Sequence, residues 1–521
     1  MDSIRHILPA HLGNMMDYSL VTTSVTPTSC FLLFLVVFIL CRLITKPKYP
    51  PGPMALPVIG NYKLLTDPKI HEACARLSEK YGPVVTVQFG PSKTVVLNSI
   101  ETVVEAMVKR RADFAGRPPV PSGMTLSEGG KDILMSQYTP SLKVHRKIVS
   151  AALRKYIKGP FLQTILEKSM GQFIKLFEET KGNPFIPHEY IDLALFNIIC
   201  GVCFQKVYKF DDPKFKHYLD IDNQFVAEFG MGLIEDLYPI LAKVWQSQRY
   251  KKVVSLFREL LHYIHEELEA HKQDFDEGNI RDFADCLLMA RKEAENEEDV
   301  EILSQLTDVH LRQTLSDTFT AAFDTTRFTI QWALLYMADH QDVQRKVQAE
   351  LDRVVGRDRL PRVDDRPSLP YTEATLFEVM RIASVAPLGM PHMTMVDSSV
   401  GGYTVPKGTT VIINHWALHN DPRHWKEPSK LDPERFLNSD GTLARKPESF
   451  LPFSAGLRVC LGESTAKPEL VIILALILHQ FNIKLPPGVK ADYSPECTGF
   501  IGYTANRYKA DDIKITRLLK V

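Results

Sequence analysis

The sequence predicts a mainly α-helical protein with a minor β region, preceded by one N-terminal transmembrane helix. Three patterns carry that prediction. Apolar residues recur at helical spacing over most of the stretch from Leu142 to Leu351, and two short β-branched runs flank a Gly-Pro turn near residue 90. The chain is also mostly apolar from Leu20 to Ile44. Its 521 residues exceed the usual size of a single core, so subdomains are expected.

The elements follow in order. Phe31 to Cys41 carries no polar side chain except that thiol, and adding Val21 to Cys30 brings the run near the roughly 20 residues a helix needs to cross a bilayer. Arg42, Lys46 and Lys48 follow at once, whereas Arg5 is the only Lys or Arg before the run. That asymmetry places the bulk of the chain in the cytoplasm. No small-residue cleavage site follows Cys41, which favours an uncleaved anchor over residues 1–46 against a signal peptide. Pro50-Pro-Gly-Pro53 reads as a stiff linker within residues 47–57, ahead of one large domain over 58–521.

Val84 to Phe89 and Thr94 to Leu97 flank Gly90-Pro-Ser-Lys93 and predict a hairpin; Ile100 to Arg111 is helix-periodic. Breaks in the helical body fall near Gly182-Asn-Pro184, Asp211-Asp-Pro213 and an acidic loop from Glu293 to Glu301. A long helix is expected from Asp308, which can cap it, with apolar positions running from Leu311 to Met337. Gly402 to Pro406 and Thr409 to Asn414 read as strands, Ala417 to Phe436 as an irregular polar meander, and Leu470 to Leu478 as a helix.

Composition excludes some functions. Lys plus Arg equals Asp plus Glu, 62 each, which argues against binding nucleic acid by bulk charge. Eight scattered cysteines in a long chain look like reduced thiols. Cys200-Gly-Val-Cys203 has no second pair, so it reads as helix packing rather than zinc or redox chemistry.

One cysteine stands in a dense frame: Phe453-Ser-Ala-Gly456-Leu-Arg458-Val-Cys460-Leu-Gly462. A lone cysteine is usually a packing thiol, which leaves the glycines, the arginine and the aromatic at these offsets unexplained. A thiolate bound to haem iron explains them. Gly456 and Gly462 would let backbone N–H groups approach the sulfur, and the following helix would present its positive end to it. Arg458 could reach a haem propionate, and Phe453 would shield the sulfur side of the macrocycle. A second signal lies in the long helix, where Asp324-Thr325-Thr326 is polar between apolar turns. The threonines could bond back to the preceding turn, or the acid and the hydroxyl could move protons.

The cysteine frame resembles the cysteine loop of the cytochrome P450 family. So do Glu378-Val-Met-Arg381, Pro433-Glu-Arg435-Phe436 and Ala321-Ala-Phe-Asp324-Thr325-Thr326, in the family's order along the chain downstream of about Pro50. The resemblance implies the cytochrome P450 fold, with 58–521 a haem-thiolate monooxygenase domain holding b-type haem through an axial thiolate from Cys460. It implies Thr325 as the hydroxyl and Asp324 as the acid of proton delivery, with small Ala321 and Ala322 leaving room for dioxygen. Arg117, Arg146 and His392 would join Arg458 on the propionates. Glu378, Arg381 and Arg435 would form a buried ion triad that retains haem without touching the chemistry.

Three positions depart from the family pattern: leucine for tryptophan at Leu142, alanine for glycine at Ala322, and Pro468 inside the helix after the cysteine, where a kink is expected. With no dinucleotide fingerprint in the chain, electrons are expected from NADPH–cytochrome P450 reductase, with cytochrome b5 as a further donor. The basic stretch Lys143, Arg146, Lys147, Arg154, Lys155, Lys158 offers a docking face, and the anchor implies the endoplasmic reticulum membrane.

For substrate, Val385 to His392 and Thr409 to Leu418 look most like the animal steroid 17α-hydroxylase/17,20-lyase group. Val354 to Pro361 and Asn279 to Asp282 look more like relatives that oxidise aromatic hydrocarbons. Pocket candidates Ala321, Ala322, Val385, Leu388, Phe500 and Ile501 are apolar, with Asn223 near the place of a polar sterol anchor. A lipophilic substrate follows, steroid first and xenobiotic second. A haem-thiolate isomerase or a non-enzymatic haem sensor are the readings outside that class.

Overall fold

The computed structural model describes residues 30, 33–34, 36–37, 49–158, 160–181, 188–230, 232–497, 503–505 and 514–517. The chain divides into two compact units, Met1–Tyr49 and Pro50–Val521. In the first, Cys30, Leu33, Phe34, Val36 and Val37 are helical and exposed. The rest of the expected anchor, and its junction at residues 46–48, lie outside the described residues. Among the described residues no helix is long and apolar enough to cross a membrane.

The second unit is helical. Its main helices are α1 (Ile70–Tyr81), α2 (Pro140–Lys158), α3 (Pro160–Glu179), α4 (His188–Phe204), α5 (Pro213–Gly230) and α6 (Gln248–Asp274). They continue with α7 (Phe283–Asn296), α8 (Asp308–Asp339), α9 (Gln341–Val354), α10 (Pro370–Ala383) and α11 (Glu463–Gln480). Helix α8 runs through the middle and packs on α4, α6, α10 and α11. Its C-terminal half, Thr326 to Ala338, is buried without interruption, as apolar residues on every face require. Asp308 does not cap it. Thr307 is the capping residue, and Asp308, the first residue of the helix, instead pairs with Lys272 at 3.0 Å. The expected acidic loop at 293–301 is shorter than the sequence suggests, because α7 runs on to Asn296 and a turn of helix follows at Val300–Ser304.

The β region packs around a smaller core of its own. Strands β1 (Val84–Phe89) and β2 (Ser92–Leu97) pair antiparallel, Val84 opposite Leu97 and Phe89 opposite Ser92. The turn is therefore Gly90-Pro91, with Gly90 at φ +57°, as a two-residue hairpin prefers. Strand β3 (His392–Met393) is followed by the small hairpin β4 (Ser398–Val400) and β5 (Tyr403–Val405), then by β6 (Thr410–Ile413). The main sheet has the order β1-β2-β6-β3, with β6 parallel to β2. Val85, Val96, Leu388 and Ile412 share the core of this region.

The helix expected from Ile100 begins as α-helix at Ile100–Val103, capped by Ser99, and continues as a π turn at Val104–Lys109. Helix α11 is assigned through Pro468, whose ring removes the N–H that would have bonded the Ser464 carbonyl.

Candidate functional site

The cysteine loop lies between the 3-10 turn Gly456–Arg458 and the start of α11. The Cys460 N–H donates to the Phe453 carbonyl (3.1 Å), closing the loop on itself. The backbone N–H groups of Gly462 and Glu463 point at the sulfur, and Arg146 adds a favourable positive field. The two glycines nonetheless do different work. Gly462 has ordinary φ (−79°), and a Cβ there would meet only the Cys460 sulfur, at 3.8 Å. Gly456 has φ +79°, and a Cβ there would lie 2.1 Å from the Met107 carbonyl oxygen in the π turn. Its smallness serves a close approach of two backbones rather than access to sulfur.

Cys460 is exposed along a depression of about 350 Å³ that it shares with Val459, Leu461, Glu463 and Lys467, while protein encloses its sulfur on the other sides. Burial pushes its thiol up, outweighing the two N–H groups and Arg146. A metal cation on the sulfur reverses that balance, because the thiolate then has its counter-charge.

Three arginines and a histidine gather on one rim. Arg458 donates from Nε to the Ala115 carbonyl (2.8 Å), from Nη1 to Ile133 (3.2 Å), and from Nη2 to Ser136. Arg117 donates to the carbonyls of Leu134 (3.0 Å) and Pro391 (2.7 Å). Arg146 donates to the Val459 carbonyl at 2.6 Å. His392 shares a hydrogen bond of 3.0 Å with the Phe114 carbonyl through Nδ1, which makes Nδ1 the donor.

These partners are dipoles, not counter-ions. Burial, then Arg458 and Arg146, push Arg117 down to about 9, and burial with Arg146 pushes Arg458 down to about 10. Burial and Arg117 hold His392 well below its ordinary value. Like charges gathered in a protein interior call for an anion, and two carboxylates on one edge of a haem fit that donor set. His392 could join only as imidazolium, since its Nδ1 proton is committed to a carbonyl.

Sequence reasoning missed what builds this rim. Asp317 on α8 accepts from the N–H groups of Ile133 (2.7 Å) and Leu134 (3.0 Å), so it anchors the loop whose carbonyls hold Arg117 and Arg458. Asp132 accepts from Met135 N–H at 3.0 Å and lies in the field of Arg458. A carboxylate inside an apolar helix was the available signal.

The triad residues meet. Arg381 forks onto Glu378 (2.7 and 2.8 Å) with both side chains fully buried, and Arg435 reaches Glu378 at 3.2 Å. Arg381 also donates to the His419 and Pro428 carbonyls, pinning the meander onto α10.

On α8, Ala321 and Thr325 are exposed one turn apart, Ala322 is half-buried, and Thr325 Oγ1 donates to the Ala321 carbonyl at 2.7 Å. Asp324 does not bond Thr325. It lies 2.9 Å from Nη2 of Arg327, which also holds the buried Asp222 of α5 at 3.0 Å. Asn223 accepts from Arg327 Nη1 at 3.4 Å. Both Asp222 and Arg327 escaped notice in the sequence, although a cation in the apolar half of α8 is conspicuous.

Phe453 is half-buried, with the Lys467 ammonium 5.1 Å from its ring centre. Val385 is half-buried against the main core, and Leu388 sits in the core of the β region. Phe500 and Ile501 lie outside the described residues. Leu142 is 1% exposed, so the main core occupies the position where the family carries tryptophan.

Comparison with known proteins agrees with this geometry. Residues 50–509 match the family model described as Cytochrome P450. The chain is 35% identical to the steroid 17-alpha-hydroxylase/17,20 lyase of Ictalurus punctatus over 472 residues, 88% of this chain and 91% of the relative. It is 35% identical to the protein of that name from Gallus gallus over 444 residues, 85% and 87% of the two chains. Against cytochrome P450 1A1 of Cavia porcellus the identity is 34% over 459 residues, 86% and 88%.

Proposed function

The chain belongs to the cytochrome P450 family and is a haem-thiolate monooxygenase; from that premise we propose a membrane-anchored steroid hydroxylase supplied by NADPH–cytochrome P450 reductase. The observation that carries the steroid reading is the similarity to steroid 17-alpha-hydroxylase/17,20 lyase over nearly the whole chain. Haem bound through Cys460 would supply activation of dioxygen.

The protein's own residues have separate tasks. Cys460 provides the ligand sulfur, steadied by the N–H groups of Gly462 and Glu463. Arg117, Arg146 and Arg458 would hold the propionates, joined by His392 if an anion there makes it imidazolium. Glu378, Arg381 and Arg435 lock the meander against α10. Ala321 and Ala322 keep the reacting face open. Thr325 hands on protons through a hydroxyl already aligned on the helix, and Asp324 resupplies it.

A membrane address has support in the catalytic unit. Met54, Leu56, Val58 and Ile59 are exposed, as are Ile240, Val244 and Trp245. The Tyr238 hydroxyl donates to the Val58 carbonyl at 3.1 Å and brings the two segments together. An apolar patch of this kind suits a lipid surface, consistent with an N-terminal anchor over residues 1–46 and a linker at 47–57. For electron supply, Lys143, Lys147 and Arg154 are exposed on α2, the helix whose Arg146 bonds the residue before Cys460. An acidic flavoprotein, or cytochrome b5, docking there would approach the sulfur side.

A second reading keeps its own observation. Arg327 already engages Asn223, which weakens Asn223 as an anchor for a sterol oxygen and favours an all-apolar aromatic substrate. Turnover of progesterone and of an alkoxyresorufin, with NADPH and reductase, decides between them. Steroid hydroxylation with little dealkylation is expected; dealkylation alone overturns the steroid reading. Loss of the red-shifted Soret band of the reduced carbon-monoxide complex in Cys460→Ala tests the ligand.

A further inference from the structure

Asp324 stands in a setting that an isolated proton donor would not need. Nη2 of Arg327 is shared by Asp324 (2.9 Å) and Asp222 (3.0 Å), from two different helices. The side chains of Asp222 and Arg327 are 0% and 3% exposed. Asp192 on α4 adds a further buried carboxyl to the field around Arg327, and Tyr218 on α5 faces the same group. Asp222 and Asp324 thus share one guanidinium nitrogen in the protein interior. Full ionisation would leave uncompensated buried negative charge, which is strongly unfavourable. Two carboxyls can approach within hydrogen-bond reach only when one of them carries a proton.

We propose that Asp222 and Asp324 share one proton beneath Arg327, and that Asp222 is the store from which Asp324 is re-protonated. The proposal rests on the reading of Asp324 and Thr325 as the proton relay. Asp222 does not touch the reacting atoms; it acts through Asp324 and is a positioning residue. Burial raises both carboxyls and Arg327 opposes the rise at both; the neighbouring Asp324 carboxylate adds to the rise at Asp222, whereas the hydrogen bond from Asp222 lowers Asp324, so the resting proton lies on Asp222. When Thr325 gives up its hydroxyl proton, Asp324 supplies the replacement. The O–H bond at Asp222 breaks as one forms at Asp324, and that bond breaks in turn as the Thr325 hydroxyl is restored; two carboxylates then face Arg327, and this excess negative charge draws in the next proton. No electrons move, and water protons refill the store. The burial of α8 beyond Arg327 explains why a store is useful: residues 328 to 338 are closed to solvent.

The test uses purified holoenzyme. Infrared difference spectra of wild type against Asp222→Asn and Asp324→Asn are expected to show a protonated-carboxyl C=O band at neutral pH that both variants lose. Each variant leaves Arg327 one fewer carboxyl, and the remaining partner ionises. Persistence of the band in both overturns the shared proton. Product formed per NADPH is then expected to fall about tenfold in Asp222→Asn, less than the ~100-fold for removing a direct general acid. That loss should deepen as pH rises, while wild type stays flat, and Asp222→Glu should restore the flat profile. An unchanged coupling and pH profile in Asp222→Asn overturns the store. If Thr325→Ala also leaves coupling unchanged, the relay itself fails; if Thr325→Ala uncouples and Asp222→Asn does not, only the store fails. Should Asp222→Asn not retain haem, persistence of the band in Asp324→Asn alone overturns the shared proton.

Discussion

Replacing Gly456 and Gly462 by alanine, one at a time, separates two glycines that look equivalent in the cysteine loop. At Gly456 the backbone sits at φ +79°, where an L side chain loses roughly 1–2 kcal/mol. Its new Cβ would lie 2.1 Å from the Met107 carbonyl oxygen. An ordinary carbon–oxygen contact is roughly 3.3 Å, so the loop or the π turn must retreat by about 1 Å. Overpacking of that kind destabilises by about 1–3 kcal/mol. Together the two effects predict a loss of about 2–5 kcal/mol for Gly456→Ala. Gly462→Ala faces no strain and no contact closer than 3.8 Å, and loses about 1 kcal/mol or less as a poorer cap. Urea denaturation followed by circular dichroism gives the stability difference, and the reduced carbon-monoxide spectrum of each variant reports whether the thiolate ligand survives. Equal losses for the two variants, or a Gly456→Ala protein as stable as wild type, would refute the assignment of Gly456 to backbone packing.

Further outcomes follow from the same geometry. Glu378→Leu leaves Arg381 buried without its carboxylate and is expected to destabilise by about 3–5 kcal/mol, read from the urea midpoint. Leu142→Trp restores the family's residue but enlarges a side chain that is 1% exposed; a loss of about 1–3 kcal/mol is expected rather than tighter haem retention. His271 donates from Nε2 to Asp282 at 2.8 Å; burial lowers it, but Asp282 outweighs burial and holds it above its ordinary value. Its contribution is therefore fully present below the unfolded pKa of about 6.5 and lost as pH rises through the higher folded value. His271→Gln should flatten that part of the stability–pH curve, and an unchanged slope would reject the pairing. Thr325→Ala should divert NADPH into hydrogen peroxide, measured as peroxide released per NADPH consumed.

Local chemistry made much of the site legible. The cysteine frame could be read because a metal-bound sulfur needs donors, a helix end and a shield within a few residues of itself. The Glu378–Arg381 pair was equally visible, since residues three apart share a helix face. Arg435 came from its Pro-Glu-Arg-Phe setting, and the structure brings it to Glu378 from 57 residues away. The hairpin at Gly90 and the long helix through Leu311 to Met337 followed from periodicity, though not its cap: Asp308 found a better partner in Lys272 than in its own backbone.

What the sequence by itself determined is the local order of chemistry: a haem-thiolate ligand, an acid beside a hydroxyl on a long helix, and a set of cations waiting for an anion. Tertiary structure decided which of these meet. Asp222, Asp317 and the Met107 carbonyl carry no motif, because each matters only through a residue on another element. Asp222 is drawn to Arg327 from a different helix, Asp317 holds a loop far away in sequence, and Met107 forbids a side chain at Gly456. Charge balance and steric exclusion in a closed interior are properties of the neighbourhood, and only the fold specifies that neighbourhood.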